Sequence, residues 1–162
     1  MIGNDVVDLA LARKESNWRR SGYLQKIFTV NEQLLIESSS DPELLVWEFW
    51  SRKEAAYKIY NRETGIRACI PKELECFSRD NSEDFVLCKG NYYFTRTVLQ
   101  NDCLHSIAAT NLASFDLIVP VDQQEVIVKV DGIPFIKCTS SRELKAVSIS
   151  HHGRYYEAIT IR

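Results

Sequence analysis

The sequence contains no hydrophobic run close to the about 18 apolar residues that a membrane-spanning helix requires. Residues 1–11, where a secretory signal peptide would be basic and then apolar, instead carry Asp5 and Asp8. We therefore expect a cytoplasmic protein with no membrane partner.

The chain also lacks an excess of positive charge. Its 20 lysine and arginine residues are outnumbered by 22 aspartate and glutamate residues, which gives a formal net charge of −2. This balance excludes a strongly basic nucleic-acid-binding protein, so we expect no nucleic-acid partner. Any binding of a polyanion must depend on local clusters of charge.

No Cys-x-x-Cys pair is present, and the number of cysteines is odd. In a reducing compartment this pattern is typical of free, buried thiols rather than of a disulfide framework or a zinc site. The five cysteines are Cys69, Cys76, Cys88, Cys103 and Cys138.

The chain is long enough to bury one substantial core, since it has 162 residues of which 45% are hydrophobic. Helix-forming segments precede Gly65, and short β-prone runs separated by turns follow it. This order predicts an α+β fold in which an N-terminal strand and helices pack on an antiparallel sheet. We expect a single domain over 1–162, with a core of about 1–112 and a C-terminal β extension of about 113–162.

One predicted helix carries the most informative cluster of side chains. Asp41 followed by Pro42 favours a helix start, and the helix should run to about Tyr60. Glu54 and Lys58 then share one side of this helix, because they are four residues apart. Such a pair is commonly an ordinary surface ion pair worth about 0.2–0.5 kcal/mol, so the spacing alone does not assign a function.

Several motifs occur together with this helix. Gly3-Asn4-Asp5 opens the chain, the nine residues from Trp50 to Lys58 have the pattern Trp-Ser-x-Lys-Glu-Ala-x-x-Lys, and Ser148-Ile149-Ser150-His151 lies near the end. In this combination the sequence resembles the 4′-phosphopantetheinyl transferase superfamily. Further segments of the same resemblance are Lys26 to Thr29 with Glu32, Gly65-Ile66-Arg67, and Gly132-Ile133-Pro134.

The resemblance implies an enzyme that transfers 4′-phosphopantetheine from coenzyme A to a serine of an acyl or peptidyl carrier protein and releases 3′,5′-ADP. By this analogy Asp5 and Glu54 bind Mg²⁺, and Lys58 stabilises the departing phosphate. Either Glu54 or a metal-bound water removes the proton of the serine. His151 contacts a phosphate of coenzyme A.

Other basic residues are candidates for the coenzyme A phosphates, namely Lys53, Arg67 and Arg154. The basic segment that follows the first strand could receive an acidic carrier protein, although a merely solvated helix face explains it equally well. Its residues are Arg13, Arg19, Arg20 and Lys26. We expect His105 and His152 to be structural, because the motifs do not include them.

The chain departs from the family pattern in two places. Asn4 replaces the usual small apolar residue, and Val7 stands where the two-domain members have a further acid, with Asp8 one position later. Asp8 is therefore an uncertain metal ligand. The motifs occur in the same order as in the short members of the family, and resemblance to those members implies a trimer. The present chain is longer than the short members. A homo-oligomer and a monomer are therefore both open.

Two other functions are compatible with the same residues. A metal-dependent hydrolase of nucleotide pyrophosphates could use both carboxylates, and a carrier-binding module could keep the fold without turnover. The presence of Asp5, Glu54 and Lys58 together argues against the second alternative.

Overall fold

The computed structural model describes residues 1–78, 83–122, 124–137 and 144–162, so Cys138 lies outside the described residues. Four α-helices, two short 3-10 helices and ten strands are present in this part of the chain. The helices are α1 (Leu9–Glu15), α2 (Tyr23–Ile27), α3 (Val30–Ser38) and α4 (Pro42–Thr64). The strands are β1 (Ile2–Asp8), β2 (Leu74–Phe77), β3 (Asp84–Cys88), β4 (Asn91–Gln100), β5 (Cys103–Ala109), β6 (Ile118–Pro120), β7 (Ile127–Val130), β8 (Ile133–Lys137), β9 (Leu144–His152) and β10 (Tyr155–Ile161).

The strands form two five-stranded antiparallel sheets. The first has the order β1-β5-β4-β3-β2, and the second has the order β6-β10-β9-β8-β7. Helix α4 packs on the first sheet and contacts β1 and β5 most extensively. The predicted α+β class, with an antiparallel meander after the long helix, is therefore confirmed.

Capping residues at both ends set the length of helix α4. The Asp41 side chain accepts a hydrogen bond from the Leu44 amide at 3.1 Å, and Pro42 occupies the first turn. The last helical residue is Thr64, and the helix stops at Gly65 because that glycine adopts a left-handed φ of 71°. Its inner face buries Ala55 and Ile59 completely.

The segment between β1 and α3 forms two short helices. Asp8 caps α1 by accepting hydrogen bonds from the Ala10 and Leu11 amides. The chain leaves α1 at Ser16 and resumes helical structure only at Tyr23.

The cysteine prediction is correct for two of the four cysteines that the structure describes. Cys76 and Cys88 are buried free thiols, whereas Cys69 is exposed and Cys103 is half-buried. Within the same described ranges, every helix is too short or too polar to cross a lipid bilayer.

Candidate active site

The close approach of α4 to β1 creates the site. A Cβ atom at Gly3 would lie 2.1 Å from the carbonyl oxygen of Ala55, so only glycine fits there. Ala55 itself is fully buried. Gly3 and Ala55 thus let the helix rest directly on the strand, and this contact brings Asp5 of β1 and Glu54 of α4 to one cleft.

This first cleft has a volume of about 160 Å³ and contains the predicted metal ligands. Asp5 and Glu54 both line it, together with Trp50 and with His151 of β9. Residues from three motifs that are far apart in the sequence therefore meet in one place. The other lining residues are Val6, Val7, Ala12, Ser16, Trp47 and His152.

The Asp5 carboxylate is largely enclosed, with 14% of its side chain exposed. Its Oδ1 accepts a hydrogen bond from the Ser150 hydroxyl at 2.8 Å and lies 3.7 Å from Lys58 Nζ. Burial raises the pKa of Asp5 above its usual range, although Lys58 and the hydroxyls of Ser150 and Ser51 lower it in part. The carboxylate is thus held in place and is costly to ionise without a cation.

Glu54 is the second carboxylate. Burial is the main factor that raises its pKa, and the neighbouring charge of Asp5 raises it further. Among the residues that the structure describes, none donates a hydrogen bond to Glu54. Its oxygens are therefore available to a proton or to a cation.

Lys58 bridges three elements of the fold. Its ammonium donates hydrogen bonds to the carbonyl oxygens of Asn4 in β1, at 2.6 Å, and Ile149 in β9, at 3.1 Å. Burial lowers the pKa of Lys58, and the charges of Asp5 and Glu54 partly offset this effect. The structure thus places the predicted phosphate-stabilising lysine beside the predicted metal ligands.

A second cleft of about 380 Å³ adjoins the first and is rich in positive charge. Lys58, Arg62 and Lys129 line it, and exposed His151 borders both clefts. The remaining lining residues are Tyr57, Asn61, Gly132, Ile133, Pro134, Ile149 and Ser150. Arg62 was not predicted, although its position four residues after Lys58 puts it on the same side of the helix.

Lys53 does not face these clefts as predicted. Its side chain is 1% exposed, and its ammonium forms a 2.7 Å ion pair with the fully buried Glu32. It also donates to the carbonyl oxygens of Ile27 and Pro71. This ion pair engages the Lys53 ammonium inside the core, so the position of Lys53 does not support the expected contact with coenzyme A.

Arg67 follows α4 in the chain, and its side chain contacts the turn between β7 and β8. It donates a hydrogen bond to the Asp131 carbonyl oxygen and packs beside Gly132. A smaller third cleft of about 170 Å³ includes Arg67 and Glu54 in its lining. The structure therefore leaves Arg67 exposed at the edge of the site.

Asp8 is fully engaged in structural contacts. Arg154 binds both of its oxygens at 2.8 Å, and the same carboxylate caps α1. The hydrogen bonds of Arg154 hold the pKa of Asp8 well below its usual range. Asp8 therefore anchors the turn between β9 and β10, and its carboxylate is already engaged by Arg154 and by the cap of α1.

The Ser-x-Ser pattern in β9 joins the two sheets. Strand β1 is at the edge of its sheet, and three of its amides are bound by side chains on one face of β9. The backbone amide of Asn4 donates to Ser148 Oγ at 2.8 Å, that of Val6 donates to Ser150 Oγ at 3.0 Å, and that of Asp8 donates to His152 Nδ1 at 2.9 Å. We call these three hydrogen bonds the β1–β9 seam.

The seam follows from the shared period of two strands. Alternate amides of β1 and alternate side chains of β9 repeat at the same distance, so successive donors meet successive acceptors. Each of these three amides on the buried edge of β1 thereby has an acceptor. The expectation that His152 is structural agrees with its place in the seam. His105 lies 3.3 Å from the side-chain amide nitrogen of Asn4.

The described residues contain no group of three or more histidine, cysteine, aspartate or glutamate side chains that could hold a metal ion by themselves. Asp5 and Glu54 would therefore supply only part of a coordination shell. Mg²⁺ is usually bound by one or two carboxylates, with water and substrate phosphates completing its octahedron. The pair of oxygen donors fits that ion.

Comparison with known proteins agrees with these motifs. A family model described as the 4′-phosphopantetheinyl transferase superfamily matches residues 1–102. No curated protein sequence matches the chain.

Solved structures show the same fold. The holo-[acyl-carrier-protein] synthase of Neisseria meningitidis is 17% identical, with a TM-score of 0.53 over 66% of this chain and 94% of that one. An apo-ACPS from Chronobacterium ammoiniagenes is 14% identical, with a TM-score of 0.53 over 67% and 93%. The holo-[acyl-carrier-protein] synthase of Thermotoga maritima is 15% identical, with a TM-score of 0.53 over 88% and 83%.

Proposed function

Because the chain belongs to the 4′-phosphopantetheinyl transferase superfamily, we propose that it transfers 4′-phosphopantetheine from coenzyme A to a serine of an acyl or peptidyl carrier protein. The supporting observation is that Asp5, Glu54 and His151 share one cleft, with Lys58 bound beside Asp5. We treat residues 1–162 as one transferase unit, because both sheets contribute to this site.

Asp5 and Glu54 are the residues that would hold Mg²⁺. The bound ion would neutralise charge on the pyrophosphate of coenzyme A, which otherwise repels an attacking hydroxyl. This assignment is consistent with the raised pKa values of both carboxylates, since burial makes their ionised forms unfavourable without a nearby cation.

The chemical step transfers one phosphoryl group. The serine oxygen of the carrier protein bonds to the phosphorus that bears pantetheine, and the bond from that phosphorus to 3′,5′-ADP breaks. Glu54 accepts the serine proton, since no described residue donates a hydrogen bond to its oxygens and the carboxylate lines the cleft. Lys58 places positive charge where negative charge develops on the leaving phosphate.

The positively charged second cleft is our proposed site for the phosphates of coenzyme A. It contains His151 and Lys58 as expected, and Arg62 and Lys129 in addition. Arg67 stays a candidate at its edge, since its guanidinium is exposed. Lys53 is withdrawn from this set because Glu32 binds its ammonium.

The surface formed by α1, the following turn and α2 is our proposed docking site for an acidic carrier protein. Lys14, Arg20 and Lys26 are exposed there, and Arg19 stacks on the ring of Trp18 at 4.0 Å. Arg13 already pairs with Glu43 and Asp102, so we expect it to contribute less. Such a basic surface would mainly speed the encounter with the carrier.

Mass spectrometry tests the proposed reaction. The protein is incubated with coenzyme A, Mg²⁺ and several purified apo carrier proteins, and each carrier should gain the mass of one phosphopantetheine group. Unchanged masses for all carriers would reject the transfer. Release of 3′,5′-ADP without a carrier would favour pyrophosphate hydrolysis, and carrier binding without any mass change would favour a non-catalytic module.

The oligomeric state is tested separately. We propose that one chain forms a complete site, because β9 of the same chain supplies His151 and Ser150 next to Asp5. Specific activity should then stay constant on dilution, and light scattering should show a monomer. A loss of activity that parallels dissociation of a homo-oligomer would contradict this proposal.

A further inference from the structure

The β1–β9 seam contains two serines that are nearly equivalent. Ser148 is fully buried and Ser150 is 6% exposed, and each hydroxyl oxygen accepts one amide hydrogen from β1. Both residues lie on the same face of β9, two positions apart. Removing either hydroxyl would leave one amide of the buried β1 edge without its acceptor.

Ser150 differs from Ser148 in what its own hydrogen does. While its oxygen accepts from the Val6 amide at 3.0 Å, its hydrogen is donated to Asp5 Oδ1 at 2.8 Å. The Val6 amide fixes the hydroxyl oxygen in place, so the hydroxyl hydrogen has a defined direction. Ser148 makes no hydrogen bond to Asp5 among the described contacts.

The competing partner of Asp5 is Lys58. Its ammonium is 3.7 Å from the same Oδ1, which is longer than a good charge-assisted hydrogen bond of about 2.8 Å. Without the Ser150 hydroxyl, the Asp5 carboxylate could rotate toward Lys58 and form a shorter ion pair. That rotation would change the direction of both carboxylate oxygens, and with it the geometry in which Asp5 and Glu54 could share a cation.

We propose that Ser150 is a positioning residue that holds the Asp5 carboxylate in its metal-binding orientation, in addition to closing the seam. This inference rests on the proposed function, since it assumes that Asp5 binds a divalent cation. Hydrogen-bond partners of metal ligands typically change metal affinity by about 10–100-fold when they are removed. The Ser150 hydroxyl is such a partner, and the Ser148 hydroxyl is its matched control.

The experiment compares Ser150→Ala with Ser148→Ala in the full chain. Mn²⁺ binding in the presence of 3′,5′-ADP is measured by calorimetry and by electron paramagnetic resonance, and thermal unfolding is followed in parallel. We expect both variants to lose similar stability, because each loses one acceptor for a β1 amide. Only Ser150→Ala should bind Mn²⁺ at least about tenfold more weakly.

Equal Mn²⁺ affinities for the two variants would overturn the assignment. If Ser150→Ala is too unstable to purify, Ser150→Cys is used, because a thiol is both a weak donor and a weak acceptor. About tenfold weaker Mn²⁺ binding by that variant supports the assignment, and wild-type affinity overturns it.

Transfer assays on the same proteins separate the two proposals. A wild-type protein that binds Mn²⁺ in a Ser150-dependent way but modifies no carrier would reject the transferase function while supporting the positioning of Asp5. A wild-type protein that modifies carriers, with Mn²⁺ affinity independent of Ser150, would reject only the positioning.

Discussion

Gly3 lies directly against Ala55, so that a Cβ atom on the glycine would be 2.1 Å from the alanine carbonyl oxygen. This contact sets the distance between β1 and α4, because neither backbone can move closer and a side chain would force them apart. Asp5 is two residues after Gly3, and Glu54 immediately precedes Ala55. The glycine and the alanine are thus the structural reason that the two carboxylates share a cleft.

Replacement of Gly3 by alanine should damage both stability and activity. The added methyl group must displace α4, which we expect to lower the free energy of unfolding by about 1–3 kcal/mol. The displacement should also reduce transferase activity per folded molecule, because it separates Asp5 from Glu54. Urea unfolding and carrier modification assays measure the two effects.

Gly90→Ala is the control for this substitution. Its added methyl group meets no atom within 4 Å, but its backbone has a φ of 86°. We expect a cost of about 1 kcal/mol from the left-handed conformation alone, with activity unchanged. Equal losses of activity in both variants would contradict the steric explanation.

Glu54→Gln should remove most of the transferase activity. The amide keeps the shape of the side chain but cannot accept the serine proton or supply a full negative charge to a cation. We expect the turnover rate to fall by about 10²–10⁴-fold, while binding of the carrier protein persists. Steady-state assays and a binding titration measure this, with the exposed Glu37→Gln as control, and unimpaired turnover would exclude Glu54 from the chemistry.

The same Glu54→Gln variant should be more stable than the wild type at neutral pH. The folded-state pKa of Glu54 is raised, so ionising this group costs stability as pH rises through that value. The gain in unfolding free energy should shrink below about pH 4, where Glu54 is protonated in both states. Unfolding is measured without divalent cations from pH 3 to 8, and a variant less stable than wild type at pH 8 would contradict the prediction.

Lys53→Met should destabilise the fold. The methionine leaves the carboxylate of fully buried Glu32 without its ammonium partner, a change that typically costs about 3–5 kcal/mol. The exposed Lys72→Met is the control and should change stability by less than about 0.5 kcal/mol. Chemical unfolding measures both, and a loss of coenzyme A binding without a loss of stability would restore Lys53 to the binding site.

Asp8 should make stability depend on pH in the opposite direction to Glu54. Its folded-state pKa is lowered, so its stabilising effect is present above about pH 4 and declines as pH falls further. Asp8→Asn should therefore be less stable than wild type at pH 7, with the difference shrinking in acid. Unfolding from pH 2 to 7 tests this against the exposed Asp116→Asn, and a difference that does not vary with pH would contradict the assignment.

The sequence predicted the parts of the fold that depend on neighbouring residues. Asp41 and Pro42 indicated the start of α4, where Asp41 caps the helix and Pro42 occupies its first turn. The spacing of Glu54 and Lys58 placed both on one side of the helix. The family resemblance is confirmed by the family model, whose match over residues 1–102 includes the motifs at Gly3 to Asp5 and at Trp50 to Lys58.

The partners of individual side chains were decided only by tertiary structure. Lys53 and Lys58 lie in the same helix, but one pairs with Glu32, 21 residues earlier, and the other with the carbonyl oxygens of two strands. Asp8 is bound by Arg154, 146 residues later.

The sequence by itself thus determined the helices, the strands, the family and the residue types of the site, because these depend on local patterns and motifs. The tertiary structure alone decided which charged groups face the cleft and that Ser150 contacts Asp5. The physical reason is that these contacts require the edge of β1 to meet the face of β9, and no local pattern specifies how two sheets pack.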